Sequence, residues 1–118
     1  DKIHVLTEVP GADLPAIYNL ASIFLYPSFY EGFGFPPLEA MASGVPVIAG
    51  HNSSLGEIVN DAGLLVDPYR VDDLVIAIRA IVNEKDLAKT LRSKGLARTV
   101  EFDWEKTARE TLNVLESI

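Results

Sequence analysis

Through the first half of the chain, short apolar runs alternate with stretches of helical periodicity. Ile3–Leu6, Ile23–Tyr26, Val45–Ala49 and Leu64–Val66 are brief, rich in branched residues and bounded by polar, Gly or Pro positions, the pattern of buried strands. Between them, Asp13 is placed to cap a helix that carries Pro15 in its first turn and runs to about Leu20. Pro37–Ser43 reads as a second helix stopped by Gly44, and Leu55–Asn60 as a short third. Strands apolar on both faces, alternating with helices, predict an α/β fold with a parallel sheet covered on both sides. The second half is helical. Val71, Leu74, Val75, Ile78 and Val82 recur at helical spacing over Val71–Asn83, Asp86–Lys94 follows with Gly95 as its stop, and Asp103 caps a last helix to about Ser117. Trp104, Ala108, Leu112 and Leu115 share one face of that helix.

Composition narrows the class. A chain of 118 residues, 48% hydrophobic and 23% charged, suits one ordered domain. It has no cysteine, which removes disulfides, thiolate nucleophiles and Cys-ligated metals. No apolar run approaches the roughly 20 residues of a membrane span, and the start lacks a signal-peptide pattern. Opening without Met on an apolar run, the chain reads as a segment of something longer.

Charge is unevenly placed. Ten basic residues against seventeen acidic ones give a net −7, and no Lys or Arg occurs between Ile3 and Tyr69. That interval carries Glu8, Asp13, Glu31, Glu39, Glu57, Asp61 and Asp67, whereas acids and bases balance from Arg70 onward. A nucleic-acid partner would need a basic stripe, so that class is excluded.

The loop after the second expected strand runs Pro27-Ser28-Phe29-Tyr30-Glu31-Gly32-Phe33-Gly34-Phe35-Pro36-Pro37-Leu38-Glu39. In open parallel sheets ligands bind beyond the carboxyl ends of the strands, where this loop falls. Pro36 or Pro37 takes the first helical position, so Glu31 and Glu39 do not share a helix face and instead look into one crevice. Carboxylates accept hydrogen bonds from paired hydroxyls of a ribose or hexose, and the amides of Gly34 and Phe35 at a helix start suit hydroxyls or phosphate. Spacing alone leaves a second reading open: an ordinary glycine turn, with Glu39 offsetting the helix dipole. Elsewhere, His4 reads as a packed or edge strand residue, His51 as loop surface, Ser53 and Ser54 as helix caps, and Trp104 as core.

Taken together, several blocks resemble a known family. Glu31-Gly32-Phe33-Gly34, the spacing Glu31-x7-Glu39, and Glu39-Ala40-Met41-Ala42-x-Gly44-x-Pro46-Val47-Ile48-Ala49 are similar to the C-terminal nucleotide-sugar domain of retaining GT-B glycosyltransferases, family 4 or group 1. Leu14-x3-Tyr18-x2-Ala21, Pro27-Ser28, Ser54-Leu55-Gly56-Glu57-Ile58-Val59, Ala62-Gly63-Leu64-Leu65-Val66-Asp67-Pro68 and Phe102-x-Trp104 extend the likeness along nearly the whole chain. The resemblance implies a truncated Rossmann-like sheet of about four strands with a helical C-terminus, residues 1–118 forming one partial domain. It implies that Glu39 binds the ribose hydroxyls and that Glu31 lies beside the transferred sugar, positioning it and stabilising charge. Gly34, Phe35 and Pro36 would line the donor, and Glu8 and Val9 would border the nucleobase. The implied reaction moves a hexose from a UDP- or GDP-linked donor to an acceptor with retained configuration, with no cofactor and no metal.

The departures also carry expectations. The family grips the diphosphate with an Arg and a Lys, which must here lie upstream of Asp1, as must the N-terminal acceptor domain. Gly56 stands where Pro is frequent. The full-length parent is therefore expected to be a retaining hexosyltransferase, cytoplasmic or peripheral to a membrane, and the isolated segment to be inactive. An uncovered Ile3 strand and last helix would favour self-association as a two-fold dimer. The rival readings are a non-catalytic nucleotide-sugar binding or scaffolding module and a nucleotide-sugar epimerase of related fold, separable by the upstream sequence.

Overall fold

A computed structural model describes residues 2–118. Three parallel strands, β1 (Phe24–Tyr26), β2 (Val47–Gly50) and β3 (Leu64–Val66), lie in the order β1-β2-β3. Phe24 is in register with Val47, and Ile48 with Leu64. Central β2 is buried throughout, and the two-residue side-chain period divides it between layers. Val47 and Ala49 pack with Ala40, Met41, Leu55, Val59 and Ala62, drawn from α2 (Phe35–Ala42), α3 (Ser54–Val59) and the single 3-10 turn after it. Ile48 packs on the other face with Val66, Ala77, Ile81 and Leu91, from β3, α4 (Val71–Asn83) and α5 (Lys85–Thr99). α1 (Leu14–Leu20) adds Tyr18 to the first layer, and α6 (Trp104–Glu116) closes the chain. This is the α/β arrangement the apolar pattern predicts, and it fits the Rossmann-like sheet that the resemblance implies.

Local chemistry explains most boundaries. Two prolines occupy the first turn of α2, and Gly34 precedes it at φ 123°. The helix ends with Gly44 at φ 70°, its N–H donating to the Met41 carbonyl while Val45 N–H reaches back to Ala40. This paired closure needs a left-handed residue, which glycine adopts without strain. Asp103 caps α6 as expected, accepting from the Glu105 N–H at 3.0 Å. Asp13 precedes α1 but makes no side-chain cap.

Several expectations are corrected. Ile3–Leu6 is not a strand: it joins no ladder, and Ile3, Val5 and Leu6 are 83%, 80% and 65% exposed. Its apolar residues suit a strand, but no strand of the described residues pairs with it, so the sheet has three strands rather than about four. His4 is accordingly exposed rather than packed. Gly95 does not stop a helix; α5 runs through it. A Cβ there would sit 3.2 Å from Met41 Cγ, so the missing side chain sets how closely α5 approaches α2. Trp104 is 75% exposed rather than core, because α6 buries no residue. The molecule is accordingly elongated, 56 × 30 × 27 Å. No helix among the described residues is long and apolar enough to cross a membrane.

Arg98 ties the last turn of α5 to the end of α3. Its Nε donates to the Ile58 carbonyl at 3.1 Å and its Nη2 to the Glu57 carbonyl at 2.8 Å, with Glu101 paired to Nη1 and the Phe102 ring 4.9 Å from the guanidinium carbon. Those carbonyls belong to a helix end that lacks intrahelical donors, and the positive charge complements the dipole there. Arg98→Ala should therefore cost about 2 kcal/mol, in the range of charge-assisted hydrogen bonds. Arg98→Lys should recover only part, since an ammonium cannot serve both carbonyls as a planar fork does. Urea unfolding of the three proteins checks this; a loss under about 0.5 kcal/mol for the alanine variant would show that water serves those carbonyls equally well.

Candidate functional site

The site is built at the carboxyl end of β1, where the loop Pro27–Gly34 leads into α2. Two serine hydroxyls hold this loop from the opposite side. Ser54 Oγ contacts the Glu31 and Phe33 carbonyls at 2.9 and 2.6 Å, and the Glu31 N–H donates to Ser53 Oγ at 2.9 Å. The serines thus fasten the loop; neither gives α3 the side-chain cap expected of it. Gly50 completes the junction. A Cβ there would meet the Ser28 carbonyl at 2.4 Å, so only glycine lets the ends of β1 and β2 come this close.

Each carboxylate is held through one oxygen. Glu31, half-buried, accepts on Oε1 from the Tyr26 hydroxyl at 2.9 Å and from Ser28 Oγ at 2.8 Å. Glu39, exposed on α2, accepts on Oε2 from the Tyr18 hydroxyl at 2.9 Å. Both tyrosines pack on Phe24: Tyr18 edge-on at 5.5 Å and Tyr26 stacked at 5.8 Å. One aromatic row therefore supports both acids. Glu31 Oε2 and Glu39 Oε1 accept no hydrogen bond from any described residue, and neither acid has a cationic partner among them.

Burial pushes the Tyr18 phenol up to about 12, with its bond to Glu39 and the Glu39 charge adding to the effect. Tyr26 is raised for the same reasons in the same order: burial, then the bond to Glu31 and its charge. Both phenols therefore remain donors at neutral pH.

The amides beside the acids are free to donate. Pro36 and Pro37 have no N–H, and no described residue accepts from the N–H of Gly34 or Phe35. These two donors at the start of α2, with the dipole behind them, suit hydroxyl or phosphate oxygens. Gly34 is buried, Pro36 half-buried, and exposed Phe35 lies between Phe33 at 4.7 Å and Trp104 at 6.1 Å. Phe33, Phe35, Leu38, Phe102 and Trp104 wall a groove of about 520 Å³ that opens beside Glu39. Glu8 is exposed and Val9 half-buried in the unpaired N-terminal segment, without a hydrogen bond to the loop. His51 is exposed, and its N–H donates to Val66 across the sheet end.

Sequence reasoning on the acids alone does not find Tyr26, Ser28, Ser53 or Ser54. The one available signal is a tyrosine inside an otherwise apolar strand, whose hydroxyl needs a partner once the ring is packed.

The sequence profile of the family described as "Glycosyl transferases group 1" matches residues 1–98. The chain is 44% identical over 111 residues to O-antigen chain mannosyltransferase B of Escherichia coli, covering 94% of this chain and 29% of that protein. It is 34% identical over 120 residues to MMP alpha-(1->4)-mannosyltransferase of Mycolicibacterium hassiacum, covering 98% and 29%. Among solved structures, sucrose-phosphate synthase from Thermosynechococcus elongatus superposes with a TM-score of 0.85 at 32% identity, over 95% of this chain and 29% of that one. The chain thus spans under a third of the length of these relatives.

The Tyr18–Glu39 bond has a direct spectroscopic consequence. Tyrosinate absorbance should show one phenol titrating at about 12, absent in Tyr18→Phe and lowered only in part by Glu39→Gln, because burial is the larger cause of the shift. Because the unfolded phenol titrates lower, the stability tied to it is complete below about pH 10 and is lost as pH rises through about 12. An unchanged highest-titrating phenol in Tyr18→Phe would contradict the assignment.

Proposed function

Because this chain belongs to the group 1 glycosyl transferases, we propose that it supplies the donor site of a retaining hexosyltransferase, binding a UDP- or GDP-linked sugar. The observation that carries this reading is the pair of acids, each with one oxygen tied to a tyrosine and the other unoccupied, beside the free amides of α2. In this reading Glu39 Oε1 accepts from the ribose hydroxyls and Glu31 Oε2 faces the transferred sugar. The Gly34 and Phe35 amides donate to sugar or phosphate oxygens, Pro36 lines the same wall, and Glu8 and Val9 border the base. Two relatives are named mannosyltransferases, so mannose is the hexose put first.

The transfer itself needs no change of oxidation state. The bond from the anomeric carbon to the diphosphate oxygen breaks while the acceptor hydroxyl attacks from the same face. The acceptor proton passes to the departing phosphate oxygen. The negative carboxylate of Glu31 stabilises the positive charge that develops on the sugar, by electrostatics rather than by a covalent bond. Charge on the diphosphate must also be neutralised, and the interval from Ile3 to Tyr69 holds no cation to do so. In this reading that role falls to residues outside that interval, and the 118 residues alone are expected to transfer no sugar.

Kinetics in a full-length polypeptide carrying this chain test the division of labour. Glu39→Ala should raise the donor KM roughly tenfold with a smaller change in kcat, because ribose contacts persist from ground state to transition state. Glu31→Ala should lower kcat by about a hundredfold with little change in KM, the mark of an interaction made in the transition state. Equal effects of both changes on KM with kcat intact would refute the assignment.

A further inference from the structure

Glu31 and Glu39 are not held alike. The terminal torsion of a glutamate is broad and roughly two-fold, so an unrestrained carboxylate presents no fixed oxygen. Glu31 Oε1 takes two donors, Tyr26 at 2.9 Å and Ser28 at 2.8 Å, so its carboxylate plane cannot turn without losing both. The Ser28 hydroxyl also lies 3.3 Å from the Tyr30 carbonyl, but the shorter contact to a charged acceptor takes its single proton. Tyr26 in turn belongs to β1, in register with Ala49 of buried β2, and its ring is stacked on Phe24. Rigidity passes from the sheet, through one phenol, to one oxygen. Glu39 has a single donor, Tyr18, on a helix with no buried residue.

We propose that Tyr26 and Ser28 are positioning residues that fix Glu31 so that Oε2 alone faces the reacting sugar, with Tyr18 orienting Glu39 more loosely toward the nucleotide. The identity of what each acid faces rests on the donor-site reading above. The pinning itself does not.

Neither tyrosine needs its hydroxyl for packing, because phenylalanine keeps the ring and the Phe24 contact. A merely structural Tyr26 would therefore leave Tyr26→Phe silent. In a full-length polypeptide carrying this chain, with GDP-mannose and UDP-glucose as donors, Tyr26→Phe and Ser28→Ala should each lower kcat roughly tenfold, as small misplacements of a reacting group do. Donor KM should stay within about twofold in both, whereas Tyr18→Phe should raise donor KM more than it lowers kcat. Ser28→Thr keeps the hydroxyl and should restore transfer that Ser28→Ala loses. If Tyr26→Phe does not fold, the two Ser28 variants decide. Side-chain NMR couplings of Glu31 without ligand give a second readout: one rotamer in the wild type, averaging in the Tyr26→Phe/Ser28→Ala protein. Unchanged couplings and unchanged kcat in that double variant, or Ser28→Thr as impaired as Ser28→Ala, would overturn the proposal. If Glu31→Gln transfers normally while the couplings still average in the double variant, the pinning stands and the donor-site reading fails instead.

Discussion

A carboxylate at the end of a flexible side chain has no direction until a donor gives it one, and in this protein phenols supply that donor. The Tyr26 and Tyr18 hydroxyls each take one oxygen of an acid and leave the other open. A cation in the same place would neutralise the acid as well as orient it. A phenol with a raised pKa orients it and leaves the charge in place. Neither Glu31 nor Glu39 has a Lys or Arg partner among the described residues, so the phenols are what orient them.

The rest of the fold supports those two bonds. Burying β2 on both faces sets the height of β1, and β1 carries Phe24 and Tyr26. Gly50 lets the loop ends touch, Ser53 and Ser54 hold the Glu31 backbone, and the paired closure at Gly44 ends the helix that carries Glu39. Gly95 and Arg98 then lock α5 against α2 and α3, the two helices that flank the loop. Each contact is modest, and together they fix the backbone from which the two acids extend.

Much of this was legible along the chain where the determinant is local. The continuous apolar run of β2, the glycine after α2, the Asp103 cap and the two acids eight positions apart are all readable from neighbouring residues. What failed depends on distant partners. Ile3–Leu6 has the composition of a strand, but a strand exists only with a neighbour, and composition does not reveal one. Gly95 looks like a stop because glycine signals both helix ends and close packing, and only the Met41 contact decides. Ser53 and Ser54 sit where caps sit, yet their hydroxyls serve a loop more than twenty residues away. The positions of the acids were thus evident, whereas the residues that aim them were not: the Tyr18–Glu39 bond spans 21 residues, and the Tyr26 and Ser28 bonds to Glu31, though short in sequence, form in a loop that has no periodic pattern.

On the proposed reading, the unoccupied oxygens of Glu31 and Glu39 are the ones that meet the sugar donor. A crystal structure of a full-length polypeptide carrying this chain, bound to GDP-mannose, tests it most directly. Both tyrosine bonds should be intact, with Glu39 Oε1 on the ribose hydroxyls and Glu31 Oε2 within hydrogen-bond distance of the hexose. A donor bound away from these acids, or carboxylates turned so that the tyrosine-bound oxygens face the sugar, would contradict it.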